Sequence, residues 1–318
     1  MVVDDGVDIL VDLAGHTAHN RLDVFALRPA PVQVSWIGYP NTTGLPGIGH
    51  RITDGVADAA GSAADMATAK GGAEWLTQRF SEALLRMPGA FLCYTPHQPM
   101  LPVATLPALE NGHVTFGTYN NLAKIQPEVV SAWAAVLHRV PRSRLVLKSK
   151  AFESLRQCER YYQRFEAHGV ARERLDLLGL IPHNTNHLQA YALMDISLDP
   201  FPYAGTTTTF EALLMGVPVV TLRGQTHAHN VGASILTALG RLDWISESAQ
   251  DYVRVAATLA ADVLALAATR ARLRDELLAS PLCDGNRFVR ELEGVYESIS
   301  PQRMSAASER ANPGTQEE

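Results

Sequence analysis

Cysteine is scarce in this 318-residue chain, which contains only Cys93, Cys158 and Cys283. The three lie far apart in the sequence and no C-x-x-C pair is present, so neither a disulfide framework nor a zinc site is indicated. Cysteines used so sparingly are typical of proteins that keep their thiols reduced. On that basis we predict a cytoplasmic protein.

Long apolar runs and an excess of basic charge are lacking as well. No apolar stretch approaches the ~20 residues that a membrane-spanning helix needs, and the first residues show no signal-peptide pattern. The formal net charge is −6, and lysine and arginine form no block. This composition argues against nucleic acid as the main partner and against a membrane location.

Several common catalytic motifs are also absent. There is no G-x-G-x-x-G and no P-loop, so neither a nicotinamide cofactor nor ATP hydrolysis is indicated, and no G-x-S-x-G nucleophile motif occurs. His183 and His187 have the i, i+4 spacing of metal ligands on a helix, but no third ligand is evident and no glutamate lies between them. A metalloprotease motif is therefore not present; stacking on a base or contact with a phosphate suits the two histidines better, and a helix-capping loop is the alternative.

The chain length favours two domains, on a prior of about 150 residues each. Short apolar strands alternate with amphipathic helices, which predicts an α/β fold with parallel sheets and helices on both faces. We predict a first domain at residues 1–95, a proline-rich linker at 96–110, a second domain at 111–300 and a disordered tail at 301–318.

One stretch, residues 199–221, predicts a loop, a helix, a turn and a buried strand. Gly205 permits a tight turn and a close approach of the backbone, and Thr206, Thr207 and Thr208 offer hydroxyl and N–H groups where the helix begins. The start of a helix attracts anions, phosphate above all. Thr208 and Glu211 also match a capping box, so that an ordinary capped helix is the alternative.

Lys124 follows a predicted strand, in a loop that also contains Asn120 and Asn121. A lysine at the carboxyl end of such a strand could stabilise the charge that develops on a diphosphate leaving group; a solvated surface lysine is the alternative. Glu211 could accept hydrogen bonds from ribose hydroxyls, or it could simply cap its helix. The residues alone leave both pairs of alternatives open.

Taken together, these residues resemble a known family, the protein O-linked N-acetylglucosamine transferases with their bacterial and plant SPINDLY-like members (glycosyltransferase family 41). The stretches that carry the resemblance are residues 8–17 (DILVDLAGHT), 28–34 (RPAPVQV), 36–40 (WIGYP), 121–125 (NLAKI), 195–203 (DISLDPFPY) and 205–209 (GTTTT). The resemblance implies a GT-B fold, with two Rossmann-like domains that face a cleft and an incomplete N-terminal one. It also implies a UDP-sugar donor, inversion at the anomeric carbon, transfer of a sugar to serine or threonine hydroxyls of proteins, and neither metal nor cofactor. We expect the sugar to be N-acetylglucosamine, although enzymes that use fucose share this architecture.

The resemblance also assigns roles to single residues. Lys124 is similar to the family's essential lysine at the diphosphate, and Asn121 stands where the family often has Gln or Asn near the donor. His187 resembles the histidine that packs on the nucleotide, and Glu211 the acidic residue on the ribose. Together with Gly205, His183 and the three threonines of the helix start, these residues form the predicted donor site. Asp54 resembles the acidic residue proposed to assist proton removal.

The chain departs from the family pattern in an unusual insertion at about residues 57–72, in His227-Ala228-His229-Asn230 where His-Ala-Ser-Arg is more typical, and in what precedes the catalytic residues. The upstream loop that supplies an active-site histidine is not found, and the tetratricopeptide repeats that normally precede the catalytic region and bind protein acceptors are missing. We therefore expect a fragment of a protein O-glycosyltransferase. The alternatives are a truncated UDP-sugar-binding remnant with little or no activity and, more distantly, another GT-B enzyme.

Overall fold

The computed structural model describes residues 1–59, 80–96, 98–180 and 184–300, with the backbone alone for residues 184–186. The chain forms two compact units. The first contains Met1–Cys93 and the chain from Asp284 onward, and the second contains Tyr94–Cys283. The predicted tail at 301–318 lies outside the described residues.

The first unit is built on a parallel four-stranded sheet. Its elements are β1 (Ile9–Asp12), α1 (Leu22–Ala26), β2 (Val32–Ser35), β3 (His50–Asp54), β4 (Ala83–Met87) and the C-terminal helix α10 (Gly285–Ser298). The strands follow one another in sequence order, from β1 to β4. A parallel sheet of short strands agrees with the α/β fold that the sequence predicts.

The C-terminal helix α10 belongs to the first unit, whereas the sequence analysis assigned residues 111–300 to the second. The physical reason is the apolar side of this helix. Phe288 is buried and stacks on Trp36, with ring centroids 5.8 Å apart and planes 22° apart. An amphipathic pattern shows that a helix has a buried side, but it does not show which sheet covers that side.

The second unit contains six parallel strands. They are β5 (Thr115–Thr118), β6 (Arg144–Lys148), β7 (Leu175–Leu178), β8 (Ile196–Leu198), β9 (Val219–Leu222) and β10 (Ile245–Ser246). The helices are α2 (Ala108–Asn111), α3 (Pro127–Arg139), α4 (Leu155–Glu166), α5 (Asn184–Gln189), α6 (Thr207–Leu214), α7 (His227–Leu239), α8 (Ala249–Ala261) and α9 (Val263–Ala279).

The strand order of this second sheet is β10-β9-β8-β5-β6-β7. This is the order of a doubly wound Rossmann sheet, whose direction of winding reverses between two neighbouring central strands. Here the reversal falls between β5 and β8, which pair in parallel. Ligands of such sheets bind beyond the carboxyl ends of the strands at that point. The loops after β5 and β8 are those that contain Lys124 and Gly205.

A central group of aromatic side chains ties the end of β8 to two helices. Pro127 occupies the first turn of α3, as is typical of helix starts, and the same helix buries Trp133 completely. The Trp133 indole N–H lies 3.2 Å from the hydroxyl oxygen of Tyr252 in α8, and the Tyr252 hydroxyl donates to the backbone oxygen of Asp199 at 2.9 Å. Packing of α3 and α8 therefore fixes the position at which the loop after β8 begins.

The predicted linker at 96–110 is packed against the second unit instead of connecting two domains loosely. The Ala108 N–H donates to the Asp195 carboxylate at 2.9 Å, and the Ala104 carbonyl accepts from the Arg270 guanidinium at 2.8 Å. Arg270 lies in α9, is 2% exposed, and also donates to the carbonyls of Met194 and Tyr191. This single buried cation thus joins three chain segments.

Within the described ranges, no single helix is long and apolar enough to cross a membrane. Only the pair α8 and α9, which meet at 94°, passes that test by length and composition when both are counted together.

Arg270→Met is predicted to lower the free energy of unfolding by about 3 kcal/mol, because three backbone carbonyls, two of them buried, lose a charged donor. Arg272→Met is the control in the same helix, since the Arg272 side chain is 57% exposed in its ion pair with Glu276. Urea denaturation of both variants measures the difference. Equal stability of the two variants would contradict the structural role of Arg270.

Candidate functional site

The loop after β5 presents Lys124 toward the loop after β8. A short 3₁₀ helix at Leu122–Lys124 begins at Asn121, whose side-chain oxygen accepts from the Ala123 N–H at 3.0 Å. The Lys124 ammonium donates to the Ala204 carbonyl at 2.8 Å and lies 3.5 Å from the Asn120 side-chain oxygen. Burial lowers the pKa of Lys124, and the charge of Asp199 opposes this shift. Lys124 is thus half-buried and bound to the neighbouring loop, which disfavours the surface-lysine alternative.

Helix α6 begins at Thr207 without a side-chain cap, so the predicted capping box is wrong. The Thr208 hydroxyl donates to the Asn120 side-chain oxygen at 3.0 Å, while the Glu211 carboxylate contacts His187 and Tyr191. The spacing of Thr208 and Glu211 fits a capping box, but both side chains form hydrogen bonds with residues outside α6 instead. The first N–H groups of a helix have no partner within the helix, and those of α6 lie beside Gly205.

Gly205 is required by a close approach of the backbone to three side chains. A Cβ atom at this position would lie 2.7 Å from the hydroxyl oxygens of Thr208 and Thr209 and 2.9 Å from Asp199 Oδ1. The Gly205 N–H donates to the same Asp199 oxygen at 2.6 Å. Only a residue without a side chain fits between the threonines and the carboxylate, as the sequence analysis expected of this turn.

The Asp199 carboxyl group is fully buried beneath this turn. Besides the Gly205 N–H it accepts a hydrogen bond from the Thr221 hydroxyl, at 2.8 Å from Oδ2. Gly232 passes close on the other side, where a Cβ would lie 2.4 Å from Oδ2. Burial raises the pKa of Asp199 to about 7, although its hydrogen bonds and the charge of Lys124 work in the opposite direction.

A second group of polar side chains surrounds Glu211. His187 Nε2 lies 2.9 Å from Glu211 Oε2, and the Tyr191 hydroxyl donates to the same oxygen at 2.9 Å. The Lys148 ammonium contacts His187 Nδ1 and lies 4.4 Å from the centre of the Tyr119 ring. Burial lowers the pKa of Lys148 to about 8, with the charge of Glu211 opposing. The group combines a cation, an imidazole and a carboxylate with aromatic rings.

The predicted donor-site residues of the second unit thus fall at the carboxyl edge of one sheet. Lys124, Gly205 and Thr208 lie together, Glu211 continues along α6, and Asn121 is exposed at the start of the lysine's 3₁₀ helix. Of the other two threonines, Thr206 is the N-cap residue of α6 and Thr207 its first helical residue. His183 lies outside the described residues.

Asp54 lies in the first unit, where its buried carboxylate holds a turn. Oδ1 accepts from the N–H groups of Val56 and Ala57 at 2.8 and 2.7 Å, and Oδ2 accepts from the Phe91 N–H at 2.9 Å. These bonds use both oxygens for the backbone and favour a structural role. The catalytic role of Asp54 stays a prediction.

Two residues of the site were missed by the sequence analysis. Lys148 ends β6 and Asp199 follows β8, so both occupy the sheet edge that the strand pattern had already marked for ligands. That position was the available signal. Within the described part of the chain, no three His, Cys, Asp or Glu side chains are grouped so that they could hold a metal ion.

Asp199→Asn is predicted to remove part of the pH dependence of stability. A folded-state pKa of about 7 exceeds that of an unfolded aspartate, so the folded state binds more protons between about pH 4 and pH 7 and loses stability as the pH rises. Asparagine does not ionise, and it can still accept from Gly205 while donating to the Thr221 oxygen. Urea denaturation across this range tests the effect, with the exposed Asp243→Asn as control; an unchanged slope would refute it.

Gly205→Ala is predicted to destabilise the second unit by about 1–3 kcal/mol, because the new methyl group overpacks the threonines and the Asp199 carboxylate. Gly294→Ala serves as the control, since a Cβ there meets nothing within 4 Å and alanine favours a helix. Denaturation midpoints of both variants decide the matter. A Gly205→Ala protein as stable as the parent would show that the turn is not constrained.

Comparison with known proteins identifies the family of this chain. The sequence profile of glycosyl transferase family 41 matches residues 1–104 and 93–292. A SPINDLY protein of Solanum lycopersicum, named as a probable UDP-N-acetylglucosamine–peptide N-acetylglucosaminyltransferase, is 51% identical over 301 residues. The alignment covers 94% of this chain and 31% of that relative, so the chain spans about a third of its length.

Solved structures are similar in fold. A mutant O-GlcNAc transferase of Thermobaculum terrenum superposes with a TM-score of 0.84 at 35% identity, over 96% of this chain and 55% of that one. Anabaena HepE in complex with UDP and glucose superposes with a TM-score of 0.52 at 13% identity, over 94% and 80% of the two chains; at that identity the likeness concerns the fold alone. These matches confirm the predicted α/β, GT-B-type fold. From its profile match, its identity to SPINDLY and its fold, the chain belongs to glycosyl transferase family 41.

Proposed function

We propose that this chain is the catalytic region of an inverting glycosyltransferase that transfers a sugar, N-acetylglucosamine in the first instance, from a UDP-sugar to serine or threonine hydroxyls of proteins. The observation that carries the proposal is the approach of the Lys124 ammonium to the Ala204 carbonyl, at 2.8 Å. This contact brings a desolvated cation to the start of α6, where a helix dipole also favours negative charge. The SPINDLY relative, named as a probable UDP-N-acetylglucosamine–peptide N-acetylglucosaminyltransferase, supports the donor and acceptor classes.

In the proposed reaction, the acceptor hydroxyl oxygen attacks the anomeric carbon from the face opposite the diphosphate. The bond between that carbon and the β-phosphate oxygen breaks, and its electron pair leaves with UDP. Lys124 and the N–H groups of Thr207 and Thr208 stabilise the charge on the leaving diphosphate, while Gly205 permits the close approach of the backbone. Such charges act strongly because the site is desolvated before the ligand arrives. The hydroxyl proton passes to a base, for which Asp54 remains the predicted candidate.

The other end of the donor fits the group around Glu211. A carboxylate one turn into α6 can accept hydrogen bonds from the ribose hydroxyls, and the His187 ring can pack on the base. Asn121, and His183 by its predicted position, complete the donor side. No resident cofactor or metal enters this scheme, since Lys124 and the start of α6 carry the compensating charge.

A UDP-sugar-binding remnant without turnover is the second candidate. The observation that favours it is the engagement of both Asp54 oxygens with backbone N–H groups. A carboxylate held in this way accepts a proton less readily, because protonation would weaken those bonds.

We also propose a cytoplasmic location, from the sparing use of cysteine.

Lys124→Ala is predicted to weaken UDP binding by about tenfold to a hundredfold, since a hydrogen bond between a half-buried cation and a diphosphate contributes about 1.5–3 kcal/mol. Isothermal titration calorimetry with UDP measures this loss. The control is Lys150→Ala, which removes an exposed lysine of the same unit. No UDP binding by the parent chain, or equal binding by the Lys124 variant, would refute the proposed function.

A transfer assay separates the enzyme from the remnant. Radiolabelled UDP-N-acetylglucosamine is incubated with protein acceptors, with and without EDTA, and the label in protein is counted. Incorporation that EDTA leaves unchanged supports a metal-free transferase. UDP binding with no incorporation, whichever UDP-sugar is offered, supports the remnant.

A further inference from the structure

Lys148 is an unassigned buried cation beside the proposed nucleotide site. It ends β6 and is 9% exposed, and its ammonium contacts His187 Nδ1 while lying over the Tyr119 ring at 4.4 Å. A lysine is rarely buried to this extent without a partner. Its partner here is a ring nitrogen of His187 instead of a carboxylate, which restricts the hydrogen bond that this nitrogen can form.

The hydrogen bonds around His187 can run in only one direction. An ammonium group has donors and no acceptor, and an ionised carboxylate has acceptors and no donor. His187 lies between the two, with Nδ1 at Lys148 and Nε2 at 2.9 Å from Glu211 Oε2. The ring must therefore accept at Nδ1 and donate from Nε2. The Tyr191 hydroxyl donates to the same Glu211 oxygen and completes the chain.

We propose that Lys148 is a positioning residue that holds His187 as the neutral tautomer with its proton on Nε2, and thereby fixes the ring and the Glu211 carboxylate for the nucleotide. The proposal rests on the proposed function, in which His187 meets the base and Glu211 the ribose. Both contacts to the carboxylate in the described structure use Oε2. Oε1 is consequently the oxygen directed to a ribose hydroxyl, and a neutral ring presents an uncharged face to a base.

The titratable groups around His187 agree with this arrangement at neutral pH. Burial lowers the pKa of Lys148 only to about 8, so the ammonium form still dominates at pH 7. Burial raises the pKa values of Tyr119 and Tyr191, and that of Tyr94 to about 12, so these three hydroxyls stay neutral. Lys148 and Glu211 are then the two charges that decide the state of the imidazole between them.

The state of His187 can be read directly by ¹⁵N NMR of histidine-labelled protein, with His187→Gln used to assign the signal. The parent chain is expected to show a neutral ring protonated on Nε2 at pH 7. In Lys148→Met the cation no longer opposes an imidazolium next to Glu211. The His187 ring should therefore no longer be held as the Nε2-protonated neutral tautomer, and its Nδ1 signal should shift.

Two further variants make the test specific. Lys150→Met changes an exposed lysine two residues away and should leave the His187 spectrum unchanged. Lys148→Arg retains a cationic donor and should restore the neutral ring, which also provides a reading if Lys148→Met fails to fold. UDP affinity should fall by about tenfold in Lys148→Met and recover in part in Lys148→Arg.

The two proposals fail in distinguishable ways. A parent His187 with its proton on Nδ1 or with protons on both nitrogens, or a Lys148→Met spectrum identical to the parent's, overturns the role of Lys148, whether or not UDP binds. Absence of UDP binding by the parent chain overturns the proposed function, because the tautomer is measured without any nucleotide. An altered tautomer with unaltered UDP affinity overturns the positioning role.

Discussion

The buried carboxyl group of Asp199 is the constraint on which the second unit's site depends. Two chain segments come so close to it that only glycine fits, at Gly205 and Gly232. A Cβ at either position would lie within 3 Å of a carboxylate oxygen. The carboxylate binds the first turn of the loop that opens α6. The backbone of Asp199 is in turn held by Tyr252. The start of α6 is thereby attached to the core of the unit and does not depend on a flexible loop.

Two lysines supply the positive charge of this site, and both are desolvated. Lys124 contacts the loop before α6, and Lys148 contacts the imidazole beside Glu211. Burial lowers the pKa of each, which means that the fold itself opposes their charges. A bound anion would stabilise both ammonium groups. Because the fold has already removed water from them, their desolvation does not have to occur when the ligand binds. This is the sense in which the site is preorganised.

Carboxylates at strand ends recur throughout the chain as turn-holding groups. Asp12 accepts from the Gly15 N–H, and Asp54 accepts from three backbone N–H groups. Asp199 likewise accepts a hydrogen bond from the Gly205 N–H and holds that turn. A carboxylate in such a position is therefore not by itself a sign of catalysis, although its place at the ligand edge of the sheet suggests one. Asp54 is the residue for which this ambiguity matters most.

The sequence alone determined the parallel α/β architecture, because strand and helix periodicities are local. It also placed Lys124, Gly205 and Thr208 at one edge of the sheet, because the carboxyl ends of parallel strands lie at the same edge. The family followed from short ordered stretches of residues. Only the tertiary structure decided that Thr208 and Glu211 serve other partners than their own helix, that α10 packs beside Trp36, and that Lys148 meets His187. Each of these depends on which distant side chain arrives at a given surface. A local sequence pattern does not specify which distant side chain will make the contact, since the competing contacts differ by only a few kcal/mol.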